Sequence, residues 1–256
     1  MIILSISSCK KDRKSEALPK LKSISFNNDG INQERVEFFY DKDGNLETSR
    51  QYLNQVPEHY FSYKYADRVL TQILHYEGAA AVDANLVATI SPNYTNRKLS
   101  KIFIQPVDRR SDLPVTDYQF DNGSLHTYSY FNDQIDFKNL YSEYRNRWTP
   151  ADGGGAPGNS KMPVLEYKYD SNPNPLYGLL WIHPVLLSGT QTYNYEFDAK
   201  AYFDPNNKIK QVLTYEGNPV SWNSISYQYS ANGLPEKSVS TFSVSNYKKE
   251  ITYEYW

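Results

Sequence analysis

From Ile24 to the C-terminus the chain alternates apolar and polar residues with a period of two. Ile251, Tyr253 and Tyr255 share one face, with Thr252 and Glu254 on the other. The same alternation runs through Phe38 to Tyr40, Tyr193 to Phe197, Ile209 to Tyr215 and Ile225 to Tyr229. β-Branched and aromatic residues at this spacing predict half-buried strands. The Thr, Ser, Gln, Lys and Glu of the second face fit antiparallel strands with one side in water. Helical spacing is scarce, and its best candidate is Phe137 to Trp148 with Asp136 as a cap.

The punctuation between strands recurs. Tyr40-Asp41-Lys42-Asp43-Gly44-Asn45-Leu46 has counterparts at Phe120 to Leu125, Phe203 to Ile209 and Tyr229 to Leu234. Each is an aromatic, a polar turn able to take positive φ, and an aliphatic that opens the returning strand, which describes a hairpin. Tyr40, Tyr65, Tyr94, Phe120, Tyr169, Phe203, Tyr229 and Tyr255 follow one another at a period near 26, with wider gaps of 49 and 34 in the middle. The expectation is an all-β fold, a long curved antiparallel meander of repeated hairpins, open or partly rolled, with about a dozen strands.

Composition narrows the class. Of 256 residues, 24 are Tyr, 11 Phe and 4 Trp, an aromatic mass that excludes disorder over the whole length. A net charge of -2 gives no reason to expect a nucleic-acid partner. No apolar run approaches the roughly 18 residues a membrane-spanning helix needs.

The single cysteine, Cys9, closes the apolar and small stretch Met-Ile-Ile-Leu-Ser-Ile-Ser-Ser, after which the chain turns polar at Lys10-Lys11-Asp12. Residues 1–8 read as the end of a secretory signal. Ile6-Ser7-Ser8-Cys9 resembles a bacterial lipobox, which implies cleavage between Ser8 and Cys9 and a diacylglycerol on the Cys9 thiol. The stretch is short and has no basic start, so the expected start of the signal lies upstream. Residues 9–22 carry Lys10, Lys11, Arg13, Lys14, Lys20 and Lys22 against Asp12 and Glu16. They read as a tether that holds a single domain, 23–256, off an anionic membrane surface. With one cysteine, no disulfide forms within the chain.

The aromatic-Asp-turn-Gly-x-Leu unit resembles the degenerate tyrosine-aspartate (YD, or Rhs-type) repeats of bacterial surface proteins. Together with Ser8 to Asp12 and the stretch Tyr167 to Leu179, YKYDSNPNPLYGL, the chain is similar to uncharacterised repeat-containing lipoproteins of Bacteroidota. The resemblance implies a cell-envelope location, on the outer membrane with its side left open, and a curved all-β body. It implies no catalytic residues.

The repeat breaks between about 138 and 192, which reads as an insertion packing on the sheet. Thr149 to Pro163 is a Gly- and Pro-rich loop without phosphate-cradle spacing. Tyr177 to Leu187 is the longest apolar run, eleven residues, too short to span a bilayer. It suits a plug over the apolar surface that a sheet of more than about ten strands would otherwise expose. Tyr177 and Trp181 from this run, with Trp222, are the candidate ligand-binding residues, because aromatic rings with a polar rim bind with little entropy to lose.

Catalytic chemistry is sparse. His59, His75, His126 and His183 stand at no zinc-binding spacing and have no Cys partner. Asp41-x-Asp43 begins like a calcium loop, but its twelfth position is Tyr52. No Gly-x-Ser-x-Gly elbow occurs, so no cofactor, metal or catalytic residue is assigned. Glu37, Glu166, Glu196 and Glu254 read as cross-strand partners of Lys and Arg on the wet face, whereas two of them about 5–10 Å apart in a cleft would make a glycosidase pair. The expected function is a lipid-anchored, non-catalytic module that binds a glycan, peptide or protein. A structural or assembly lipoprotein contacting another envelope protein is the first alternative, and a glycosidase-like enzyme the second.

Overall fold

The computed structural model describes residues 19–28, 32–107, 115–121, 124–131, 134–144, 147–150, 164–186, 193–197, 199–215, 218–243, 245 and 247–256, with backbone alone at 28, 32, 115–165, 185–200 and 215. Ser8, Cys9 and most of the tether therefore lie outside the described residues, as do 151–163 of the Gly- and Pro-rich loop.

The strands are β1 (Leu21–Asn28), β2 (Asn32–Tyr40), β3 (Leu46–Leu53), β4 (Val56–Ala66), β5 (Val69–Glu77), β6 (Leu86–Thr95), β7 (Lys98–Pro106), β8 (Val115–Asp121), β9 (Ser124–Phe131), β10 (Gln134–Tyr144), β11 (Arg147–Pro150), β12 (Val164–Pro173), β13 (Ile182–Leu186), β14 (Tyr193–Phe197), β15 (Asn206–Tyr215), β16 (Asn218–Tyr229), β17 (Pro235–Phe242) and β18 (Lys248–Tyr255). A 3-10 turn at Asp83–Asn85 and the short helix α1 (Ala199–Phe203) complete them. Each strand pairs antiparallel with the next, except that β12 passes over β13 and β14 to pair with β15. β13 and β14 form a hairpin of their own.

Twelve strands of the main sheet have described side chains, and they form one open arc running from β12 through β18 and β1 to β7. The backbone pairings of β8 to β11 join the ends of that arc into a ring of sixteen. At the seam between the first and last strands Ile24 lies opposite Tyr253 and Phe26 opposite Ile251. The all-β antiparallel meander is thus the one the alternation indicates.

Two expectations change. Phe137 to Trp148 is not a helix, for it lies in β10 and β11. Its Phe, Tyr and Asn residues carry little helical preference, and β9 offers a paired edge from Gln134 to Ser142. Phe203 to Ile209 is not a hairpin, because Phe203 ends α1 and Asn206 opens β15, which returns to β12. β10, β11 and β12 are therefore strands of the main sheet, and the segment that leaves it is 174–205 rather than 138–192.

Apolar side chains point into the lumen. Ile24, Val36, Phe38, Phe61, Ile73, Ile90 and Ile102 are buried there, each aliphatic or aromatic side chain stabilising the fold by about 1.5–3 kcal/mol. From segment 174–205, Leu176, Leu179, Trp181 and Tyr202 pack against this concave side. Leu180 and Ile182 join the same cluster, and the Trp181 ring stacks 6.0 Å from Phe26 and meets Phe38 edge-on at 6.4 Å. The outward positions carry charge. Arg35 lies 3.2 Å from Glu37 and 3.4 Å from Glu254, and Lys237 lies 2.7 Å from Glu250.

Candidate functional site

In a meander every second turn falls at the same end. Here that end holds the β2–β3, β4–β5, β6–β7 and β16–β17 turns and the β1–β18 ends, Leu21 opposite Tyr255. Two of these turns have both central residues at positive φ, Asp67 and Arg68 at 50° and 64° and Asn96 and Arg97 at 51° and 62°, the geometry that matches strand twist in two-residue hairpins. The longer β2–β3 turn is held by the Asp41 carboxylate, which accepts from the backbone N–H of Asp43 at 2.9 Å and of Asn45 at 2.8 Å, while Gly44 takes φ +86°.

Beside these turns the recurring aromatic sits at a shift of register. Tyr40, Tyr65, Tyr94, Tyr169 and Tyr229 each adjoin one. A bulge bends the strand and re-aims the side chain. The following aliphatics Leu46, Leu70, Leu99 and Leu234 are buried, so the unit sends its leucine to the core and its tyrosine to the rim.

The result is a mouth. Tyr40, Tyr63, Tyr65 and Tyr94 from the sheet, with Tyr177 and Tyr202 from the insertion, surround a cavity of about 870 Å³. Lys20, Arg68 and Arg97 line it as well, and no Asp or Glu does among the described residues. The Lys20 ammonium stands 5.0 Å from the centre of the Tyr40 ring, a cation–π distance. Burial pushes the Tyr40, Tyr65 and Tyr94 phenols up to about 12, with Tyr65 adding to the effect on Tyr40, Asp41 to that on Tyr65, and Tyr202 and Tyr65 to that on Tyr94. Burial raises Tyr202 too, with Tyr177 adding. At neutral pH these phenols remain O–H donors.

A second cavity, of about 370 Å³, lies deeper and includes Phe26, Glu34, Trp181, His183, Lys249 and Tyr253 in its wall. Leu179 borders both cavities. At this closed end the lumen is polar. His183 Nε2–H donates to Glu34 Oε1 at 2.5 Å, and the Gln51 amide donates to the same oxygen at 2.7 Å. His59 Nδ1 and His75 Nε2 share a hydrogen bond at 3.0 Å, and the His75 ring stacks 4.6 Å from Phe61. Burial holds both rings below the usual histidine range, His59 at about 4 with His183 adding to the effect, and His75 well below its ordinary value with His59 adding. Both are neutral at pH 7. Among the described residues no group of three or more His, Cys, Asp or Glu could hold a metal ion.

The structure separates the three candidates. Tyr177 is 57% exposed at the mouth, and Trp181 lines the deeper cavity. Trp222 lies within β16 rather than in an irregular segment, 42% exposed on the outward face and away from both. Glu37 and Glu254 share Arg35 on the outer surface, a cross-strand arrangement, while the side chains of Glu196 and His126 lie outside the described residues. Arg68 and Arg97 escaped sequence reasoning, although Asp67-Arg68 and Asn96-Arg97 follow the recurring tyrosines at the same offset. The histidine cluster left no such signal.

The chain matches no family model and no curated protein. Among solved structures it is similar to a porin-like protein from Bacteroides uniformis, at 11% identity and a TM-score of 0.40, over 92% of this chain and 96% of that one. It is similar also to a porin-like protein from Bacteroides vulgatus, at 10% identity and a TM-score of 0.43, over 93% of this chain and 99% of that one.

Proposed function

We propose that this chain is a lipid-anchored protein of the cell envelope and acts as a non-catalytic binding module whose ligand enters the tyrosine-ringed mouth. The six tyrosines around the cavity carry this reading, since flat rings with polar rims suit a saccharide and the volume of about 870 Å³ falls in the roughly 300–1,000 Å³ of small-ligand sites. The lipobox-like Ser8-Cys9 supports the anchor, and the charged outer face supports a barrel carried in water on its tether. The absence of catalysis is supported by Glu37 and Glu254, which are tied to Arg35 outside the lumen.

The test is thermal unfolding of the full chain against oligosaccharides, peptidoglycan fragments and peptides. A ligand at about 100 times its Kd adds roughly 2.7 kcal/mol, which raises the Tm of a domain this size by about 5–10 °C. Oligosaccharides should produce that shift without being cleaved. No shift with any saccharide removes the binding reading, and cleavage removes the non-catalytic one. Cys9→Ser should leave the membrane fraction, and a variant that stays there removes the anchor. Val220 and Trp222, both exposed on one face of β16, favour a second reading as a contact for another envelope protein. Cross-linking in intact cells that is lost in Trp222→Ser would support it.

A further inference from the structure

We propose that the ligand of the mouth is an acidic oligosaccharide, its carboxylates held by Arg68, Arg97 and Lys20 while its rings lie on the tyrosines. The inference rests on the mouth being a saccharide site and goes on to name the chemistry that the site selects.

Side-chain donors outnumber side-chain acceptors in this wall. Each hydroxyl of a neutral sugar both donates and accepts, so a site for it needs acceptors as well as donors. This mouth is rich in donors, with two guanidinium groups, one ammonium and the neutral phenols. Acceptors are few. Asn174, the one side-chain amide in the wall, is committed elsewhere. Its amide nitrogen donates to the carbonyls of Ala201 and Asp204, both at 2.9 Å, and its oxygen accepts from the Leu176 N–H at 2.9 Å. Asp41, close enough to raise the Tyr65 phenol, is occupied too. One of its oxygens takes the Asp43 and Asn45 N–H groups, and the other takes the Asn45 side-chain amide at 2.9 Å. A uronic or sialic acid carries an acceptor-only carboxylate, which the donor-only Lys20, Arg68 and Arg97 of this wall meet with charge-assisted bonds that a neutral hydroxyl does not make.

The cations are placed for this. Arg68 and Arg97 occupy equivalent positions in consecutive hairpins, each the second central residue of its turn, so they stand side by side on the rim. Neither forms an ion pair among the described residues. The chain as a whole is slightly acidic, at -2, so the positive rim is a local feature.

The experiment is calorimetric titration of the full chain with galacturonate, glucuronate and sialic acid oligosaccharides, each paired with its neutral methyl ester. At least one acid should bind at least about tenfold more tightly than its ester, the gain of a charge-assisted contact, and that margin should shrink as salt is added. The double variant Arg68→Asn, Arg97→Asn keeps a residue that tolerates positive φ in both turns, and it should narrow the margin between acid and ester to what Lys20 alone supports, without lowering Tm. Equal binding of acid and ester by the unaltered chain overturns the charge selectivity and leaves the saccharide site standing. Binding of neither overturns both. An acid preference undiminished in the double variant places the carboxylate elsewhere and overturns the roles of Arg68 and Arg97.

Discussion

The two ends of the lumen are made by the same strands, yet their chemistry is opposite. At the mouth the polar groups are phenols and cations facing an opening, and their places follow the hairpin period, since Tyr40, Tyr65 and Tyr94 adjoin successive turns at one end. At the closed end Glu34, Gln51, His59, His75 and His183 come from four strands and the insertion, and they hydrogen-bond to one another, while Gln51 Oε1 and His183 Nδ1 are buried without a partner among the described residues. A repeat writes a rim because each copy delivers the same residue to the same height. A buried cluster instead needs complementary residues from different strands, so no copy resembles another. Between the two lies an apolar layer of Ile24, Val36, Phe38, Phe61 and Ile73.

The sharpest way to break this comparison is to remove the layer that both ends share. Phe38 is 0% exposed and touches Trp181 of the insertion. Phe38→Ala should cost about 3–5 kcal/mol, with mouth and closed end melting together. Denaturant unfolding followed by tryptophan fluorescence and by circular dichroism checks this, and two separate transitions would show that the ends are independent.

A smaller effect isolates the closed end. His183→Ala deprives the half-buried Glu34 and the buried Gln51 of one partner each and should cost about 1–3 kcal/mol. Saccharide affinity at the mouth should change by less than about twofold, the error expected for non-interacting sites. A larger loss of affinity in the same titration would mean that the insertion couples the two ends.

Acid and alkali report on the ends separately. His59 and His75 bind protons less readily folded than unfolded, so their contribution to stability is present above about pH 6.5 and is lost as pH falls through about 4 for His59 and lower for His75. The phenols of Tyr40, Tyr65 and Tyr94 have the opposite sign. Their contribution is present below pH 10.0 and is lost as pH rises through about 12. Denaturation midpoints should therefore fall on both sides. His75→Leu should flatten the acid limb alone, and a change in the alkaline limb would contradict the division.

The same contrast explains what the sequence made legible. Alternation placed Ile251, Tyr253 and Tyr255 on one face, and the Tyr40 and Tyr229 units are hairpins, because both signals are local. The apolar run from Tyr177 was legible as a plug because eleven apolar residues must be covered somewhere. Phe203 fitted the hairpin signature but follows the insertion, where α1 replaces a turn. The pairing of β1 with β18 joins residues more than 200 positions apart, as in Ser23 to Glu254, and no local pattern encodes it. His183 meets Glu34 across 149 positions, so the histidines looked scattered. Arg68 and Arg97 sat in plain view, but an arginine in a polar turn has an ordinary explanation until the sheet curls and sets the turns around one opening.

The smallest effect on stability separates binding from folding most cleanly. Tyr177 is 57% exposed, and it belongs to the insertion, so it supports no strand. Tyr177→Ala should change stability by less than about 0.5 kcal/mol, as surface substitutions do. Its ring nevertheless lines the mouth opposite the tyrosines of the sheet. Losing one stacking face should weaken saccharide binding by roughly fivefold, the scale of one aromatic contact of about 1 kcal/mol. Tyr76→Ala, on β5 and outside the mouth, should leave affinity unchanged even though it perturbs the buried contact with Tyr60. If affinity instead tracks stability across the two variants, the tyrosines act as structure alone. If it follows Tyr177 and ignores Tyr76, the ring of phenols is a binding surface that the strands merely hold in place.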